Sequence, residues 1–399
     1  MAKVKPIYLD YNATTPCAAE VIEAMLPFFS GDFGNPASPH AMGRVAAEAV
    51  EAARVRVAAL VECAPDEIIF TSGATESNNI VLLGIVSQPR TRRKIAISAV
   101  EHKSVLEPCA RLAQRGFAVI TLPVDGHGIV DLDEASRLID DDTLLVSVQG
   151  ANNETGTVQP VTEIARIAHT HGALMHSDCA QMLGKVPVSV FDLGVDYASF
   201  SGHKVYGPKG IGFLFFGGGR CRSQLDSICF GGGQETGLRP GTLNVPGIVG
   251  FGEACRLARE RLPKDMHGID ALRHRFELAI TQALPSAHIN GSEVDRLPGT
   301  TSLTLPGLPA SMLIANVPHL CIGEGSACSS GAPEPSHVLL AMGLSREDAE
   351  STVRFSLGRG NSVVDVDEAA CSVERETKRL LSAMCRTTIP DSSLTGERE

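Results

Sequence analysis

The chain has 399 residues, 43% hydrophobic and 20% charged, enough for one large globular α/β body with a smaller companion. Its net charge of −11, with no Lys/Arg block, argues against holding nucleic acid or anionic membrane by bulk electrostatics. Residues 1–6 have no apolar signal-peptide core and no run elsewhere is long enough to span a bilayer, so a cytoplasmic protein is expected.

In chain order, a short strand Ile7-Tyr8-Leu9 leads into Asp10-Tyr11-Asn12-Ala13-Thr14-Thr15-Pro16, and a helix is predicted over 18–29. Ser38-Pro39 reads as an N-cap with proline at the first helical position, opening an Ala/Val/Glu helix to about Val61. Short apolar strands then alternate with helices. The strands are predicted over 68–71, 95–99, 118–122, 144–148, 173–177, 197–201 and 211–216. The helices between them are predicted over 76–86, 105–115, 132–138 and 161–171. This βαβ rhythm predicts a mostly parallel seven-stranded sheet covered on both faces, with ligands held at the carboxyl ends of its strands.

Near residue 260 the pattern changes. A charged helix over 265–283 is followed by strands at 288–290, 300–304 and 353–356, then by an amphipathic helix over 366–384. The division expected is a large domain over 15–260, with residues 1–14 and 261–386 forming a smaller α+β domain. The polar stretch 387–399 reads as a disordered tail.

Attention therefore falls on the residues that follow each strand. After residue 71, Ser72-Gly73-Ala74-Thr75 offers a glycine turn and a helix start suited to a phosphate, although such caps also occur for structural reasons. His102 follows the second strand of the sheet; it suits stacking on a planar cofactor, or simple solvation in a loop. Asn152-Asn153-Glu154 follows the fourth and otherwise reads as an ordinary turn. Asp178 follows the fifth, where an acid can partner a pyridinium nitrogen or cap a helix. Lys204 follows the sixth, in Ser201-Gly202-His203-Lys204, and is either a surface lysine at a turn or a Schiff-base anchor for an aldehyde cofactor. Phosphate loop, stacking ring, acidic partner and lysine stand in the order that a pyridoxal phosphate (PLP) site needs.

The eleven cysteines include no Cys-x-x-Cys pair, so no metal site is read from spacing. Cys328 stands apart in Gly323-Glu324-Gly325-Ser326-Ala327-Cys328-Ser329-Ser330-Gly331, a segment of small residues that suits an accessible nucleophilic thiol. Cys321 reads as core, in a strand.

These blocks, together with Arg239-Pro240-Gly241-Thr242 and Arg354-Phe355-Ser356-Leu357-Gly358-Arg359, resemble the NifS-like PLP-dependent cysteine desulfurases, over nearly the whole chain. The resemblance implies the fold-type I α/β architecture of the class V aminotransferases. It implies that Lys204 binds PLP covalently, that Asp178 pairs with the ring nitrogen and that Gln181 bonds the ring hydroxyl. His102 stacks on the ring and shuttles a proton, while Gly73, Ala74, Thr75, Ser201 and His203 serve the phosphate. Asn153 lies by cofactor and substrate, and Arg354 grips the carboxylate of L-cysteine. Cys328 receives the sulfur as a persulfide, for delivery to an acceptor protein in iron–sulfur cluster assembly, tRNA thiolation or DNA phosphorothioation. Thr242 reaches the phosphate of a neighbouring subunit, which implies a homodimer. Cys179 departs from the family pattern, which has alanine there. Selenocysteine lyase, another PLP enzyme such as an aminotransferase, and an idle scaffold for acceptor proteins are the alternative readings.

Overall fold

The computed structural model describes residues 6–88, 91–324 and 334–387. The central sheet is built from β2 (Ile68–Thr71), β3 (Lys94–Ser98), β4 (Ala118–Leu122), β5 (Thr143–Ser147), β6 (Leu174–Asp178), β7 (Tyr197–Ser201) and β8 (Gly212–Phe216). A short first strand, β1 (Ile7–Tyr8), precedes them in the chain. The sheet order is β2-β8-β7-β6-β5-β3-β4, with only the two pairings of β8 antiparallel. All residues of β2, β5, β7 and β8 are buried, as strands covered on both faces require. Behind β7, Phe200 stacks on Phe213 at 4.3 Å between ring centres, and Phe213 meets Phe251 at 5.8 Å. This aromatic wedge fixes the strand whose end carries Lys204.

A four-stranded antiparallel sheet holds β9 (His288–Asn290), β10 (Thr300–Thr304), β12 (Gly323–Glu324) and β13 (Thr352–Ser356), in the order β12-β13-β10-β9. Strand β1 pairs in parallel with β11 (Leu320–Cys321). Leu9, Phe276, Leu303, Val353 and Phe355 share one apolar core here, separate from the core beneath the central sheet. The helix Val245–Ala283 joins the two bodies. Its first half, including Ile248, Phe251 and Cys255, packs in the large core, and Phe276 and Ile280 pack in the small one.

Several boundaries differ from expectation. That helix begins twenty residues before the predicted start because it runs on through Pro263, whose sequence signal is that of a break. The helix Ala41–Val61 is capped by His40, whose Nδ1 accepts from Gly43 N at 3.2 Å, and not by Ser38. The predicted helix over 18–29 is two pieces, Ala19–Met25 and Pro27–Ser30, separated at Leu26, with Pro27 opening the second. The last helix, Val363–Thr387, is longer at both ends than predicted, and residues 388–399 lie outside the described residues. No described helix is long and apolar enough to cross a membrane.

Candidate active site

At the carboxyl ends of β2, β3, β5, β6 and β7 lies a cavity of about 610 Å³. Its walls bring together Gly73, Ala74, Thr75, His102, Asn153, Asp178, Gln181, Ser201, His203, Lys204 and Arg354, each of which the sequence nominates. Two nominated residues stand apart. Thr242 is exposed and lines a different cavity beside Glu235 and Arg54. Cys328 lies outside the described residues.

One wall is an anion cradle. Gly73 precedes the helix Ala74–Gly84 with φ +150°, a conformation open to glycine, and Ser201 Oγ lies 3.5 Å from where a Cβ would stand. The first-turn N–H groups of that helix have no carbonyl one turn back to bond and face an incoming anion with the positive end of the helix dipole. Burial, then the charges of Lys204, Lys209 and Lys185, push His203 down to about 4, so it enters the site neutral; its Nδ1 lies 3.2 Å from Thr14 Oγ1.

Opposite, Asp178 is 7% exposed and ends β6. Asn78 Nδ2 donates to its Oδ2 at 2.7 Å and Ala180 N to its Oδ1 at 3.0 Å. Asn78 also donates to Ser104 Oγ at 2.8 Å, and Ser104 Oγ lies 2.8 Å from Nδ1 of His102. Ser104 N donates to that same Nδ1 at 3.1 Å, which leaves the ring proton of a neutral His102 on Nε2. The acid and the imidazole are thus held by one network.

Lys204 follows β7 in a single 3-10 turn. Its Nζ donates to Asn12 O and, at 2.9 Å, to Ala13 O. Gln181 Nε2 donates to the same Asn12 carbonyl at 3.0 Å. Arg354, on β13, is 4% exposed and ion-paired with Asp10 at 2.7 Å. One further nitrogen donates to Asn153 O at 3.1 Å, while the buried Nε has no partner among the described residues. A guanidinium at a cavity wall suits the carboxylate of a small substrate.

Residues the sequence reading missed support these groups from behind. Asn12 links Thr300, Asn153 and Lys185. Glu101, fully buried, receives hydrogen bonds from Ser98 Oγ at 2.6 Å and Gln149 N at 2.8 Å on one oxygen, and the other is unpartnered. A buried asparagine inside a helix, at Asn78, was the one available signal for this shell. Cys179 is buried, and desolvation pushes its thiol up to about 12, so it is an inert core thiol. Cys321 is half-buried in β11, less enclosed than a core reading expects.

The donor set fits pyridoxal phosphate. It offers an amine for the aldehyde, a carboxylate for the pyridine nitrogen, an imidazole on the wall and an anion cradle at a helix start.

Comparison with known proteins agrees with that chemistry. The aminotransferase class-V family model matches residues 7–368. The chain is 44% identical over 366 residues to the cysteine desulfurase IscS of Rickettsia felis, covering 91% of this chain and 89% of that one. A solved NifS-like protein superposes with a TM-score of 0.86 at 38% identity, covering 95% of this chain and all (100%) of the other. SspA in complex with cysteine superposes with a TM-score of 0.79 at 36% identity, covering 88% and 98%. Family match, fold and donor set converge: the chain belongs to the class-V aminotransferases and is a PLP-dependent enzyme.

Proposed function

We propose that this chain is a cysteine desulfurase, converting L-cysteine and the Cys328 thiol into L-alanine and a Cys328 persulfide for transfer to an acceptor protein. The observation that carries the reading is the convergence of Lys204, Asp178 and Arg354 on one cavity. The relatives named cysteine desulfurase add the substrate.

Lys204, Asp178, Gln181, His102 and the cradle of Gly73, Ala74, Thr75, Ser201 and His203 would hold the cofactor. Bound PLP supplies an electron sink conjugated to the substrate Cα. Arg354 binds the substrate carboxylate and Asn153 flanks it. The Lys204 amine takes the Cα proton. The Cys328 thiolate forms a new S–S bond as the Cβ–S bond of the substrate breaks, with His102 Nε2 handling a proton beside the sulfur. Atoms balance: one thiol hydrogen and the cysteine skeleton leave as alanine, and one sulfur stays on Cys328.

Two further readings belong to this proposal. The chain acts as a homodimer, supported by the exposure of Leu26 (57%), Phe29 (63%), Phe33 (69%) and Phe230 (95%) and by Thr242 lying outside its own chain's cavity. The bodies 15–260 and 1–14 with 261–386 act as two domains, supported by their separate apolar cores. A cytoplasmic location accords with the absence of a membrane-spanning helix among the described residues.

The test is turnover of L-cysteine and of L-selenocysteine by the purified holoenzyme. Alanine formed from cysteine supports the reading. Turnover of selenocysteine alone would replace it with selenocysteine lyase, and a colourless, inactive protein would leave a scaffold.

A further inference from the structure

Lys185 is a basic side chain in an unusual place. Its stem is partly exposed, but its ammonium end is enclosed, and no carboxylate lies within ion-pair distance of it among the described residues. Its charged neighbours are Lys204 and Arg354, of which Arg354 is already paired with Asp10. Asp265 and Arg359, which line the small cavity shared by Lys185 and Lys204, pair with each other at 2.5 Å. Burial first, and then those two positive neighbours, push the Lys185 amine well below its usual range.

The chain puts this amine here deliberately in physical terms. Gly184, immediately before it, has φ +68°, and a Cβ there would stand 2.3 Å from Val205 Cγ2. Only glycine lets the segment press against the residue that follows Lys204. Among the described residues, Lys185 Nζ then donates to Gln181 Oε1 at 2.6 Å and Asn12 Oδ1 at 2.8 Å.

These bonds decide which way the Gln181 amide points. Its oxygen must face Lys185, and one N–H of Nε2 goes to Asn12 O at 3.0 Å. An amide nitrogen has two hydrogens, so the second is left for the main cavity that Gln181 lines. With the amide turned over, its oxygen would face Asn12 O and repel it. We infer that Lys185 is a positioning residue, which with Asn12 locks the Gln181 amide so that an N–H is presented to the cofactor's ring oxygen and the lysine–cofactor linkage loses its proton more readily. The inference rests on the PLP reading of the cavity, and it concerns Gln181 through Lys185 alone.

The experiment is a spectrophotometric pH titration of the visible band of the holoenzyme, for the wild type, Lys185→Met, Gln181→Ala and the double variant. A hydrogen bond to a charged oxygen corresponds to about a tenfold change in the acid constant of the linkage, so Lys185→Met moves its apparent pKa up by about one unit. Gln181→Ala moves it up similarly, and the double variant no further than either single one, because both remove the same bond. A Lys185→Met protein that keeps the band and titrates as the wild type would overturn the inference, as would fully additive shifts. If Lys185→Met does not load or fold, Lys185→Leu, which also removes the donor, is titrated instead; a shift upward supports the inference. Wild-type titration, or failure of both variants to fold, overturns it in favour of a purely structural lysine. A wild-type protein with no lysine-linked band would instead overturn the reading of the cavity, independently of how Lys185 behaves.

Discussion

Glu101 shows how much one buried group matters beside this cavity. Burial raises its carboxyl to about 8, against the pull of Ser98 and Gln149, with Asp178 adding to the rise. The folded chain therefore keeps a proton there that the unfolded chain gives up near the ordinary glutamate value of about 4.3. A carboxyl raised in this way contributes stability that is complete below that value and lost as pH rises through about 8. Glu101→Gln removes the titration. Its thermal midpoint should match the wild type at a pH below the ordinary glutamate value and exceed it by several degrees above the folded-state value. A midpoint difference that does not change with pH would contradict the account. At this scale the sequence was informative about groups that line the cavity and largely silent about those that hold them. Asp178, His102 and Lys204 end strands or start turns, and a parallel sheet places such residues at its ligand edge. Asn12 and Lys185 carry no such positional mark, and the place of Glu101 after β3 does not reveal its burial, because partners such as Gln149 and Asn12 come from distant segments that only the folded chain brings near.

Among elements, the sheet was legible almost residue by residue. Strands β2, β4, β7, β9 and β10 have the predicted limits, and β3, β5, β6, β8 and β13 differ by a single residue at one or both ends. Buried strands are continuous apolar runs bounded by turn residues, so their limits are written locally. The two-residue strands β11 and β12 have no period to read, and they exist only because β1 and β13 offer them edges. The turn from β2 into the helix Ala74–Gly84 was legible through Gly73, and its conformation makes a prediction. Gly73→Ala forces a side chain into φ +150° and displaces the first-turn N–H groups. Strain of about 1–3 kcal/mol there should weaken PLP binding by roughly tenfold or more, measured by titrating apoprotein with cofactor. Unchanged affinity would remove the cradle from the account.

For the whole molecule, the N-terminal strand is the tie between the bodies. Leu9 packs in the small core, Asp10 bridges to Ser356 and pairs with Arg354, and Asn12 reaches Thr300, Asn153 and Lys185. Arg354 and Lys204, both on the cavity wall, thus share one short segment as their common support. Phe29 and Phe230 are exposed aromatic side chains that the proposed homodimer is expected to cover. Sedimentation should give twice the mass of one chain, and Phe230→Asp should shift the population toward monomer with loss of visible cofactor absorbance. A wild-type monomer with full absorbance would contradict the dimeric reading.

The proposed reaction passes sulfur from L-cysteine to Cys328 in a site anchored by Lys204. Its most direct measurement is mass spectrometry of the holoenzyme after a single turnover with L-cysteine, alongside alanine release. The account predicts one added sulfur on the peptide bearing Cys328, matched by one alanine, and neither product from Cys328→Ala, which keeps the visible band of bound cofactor. Alanine and sulfide formed at the normal rate by Cys328→Ala, or the added sulfur on another cysteine, would contradict it.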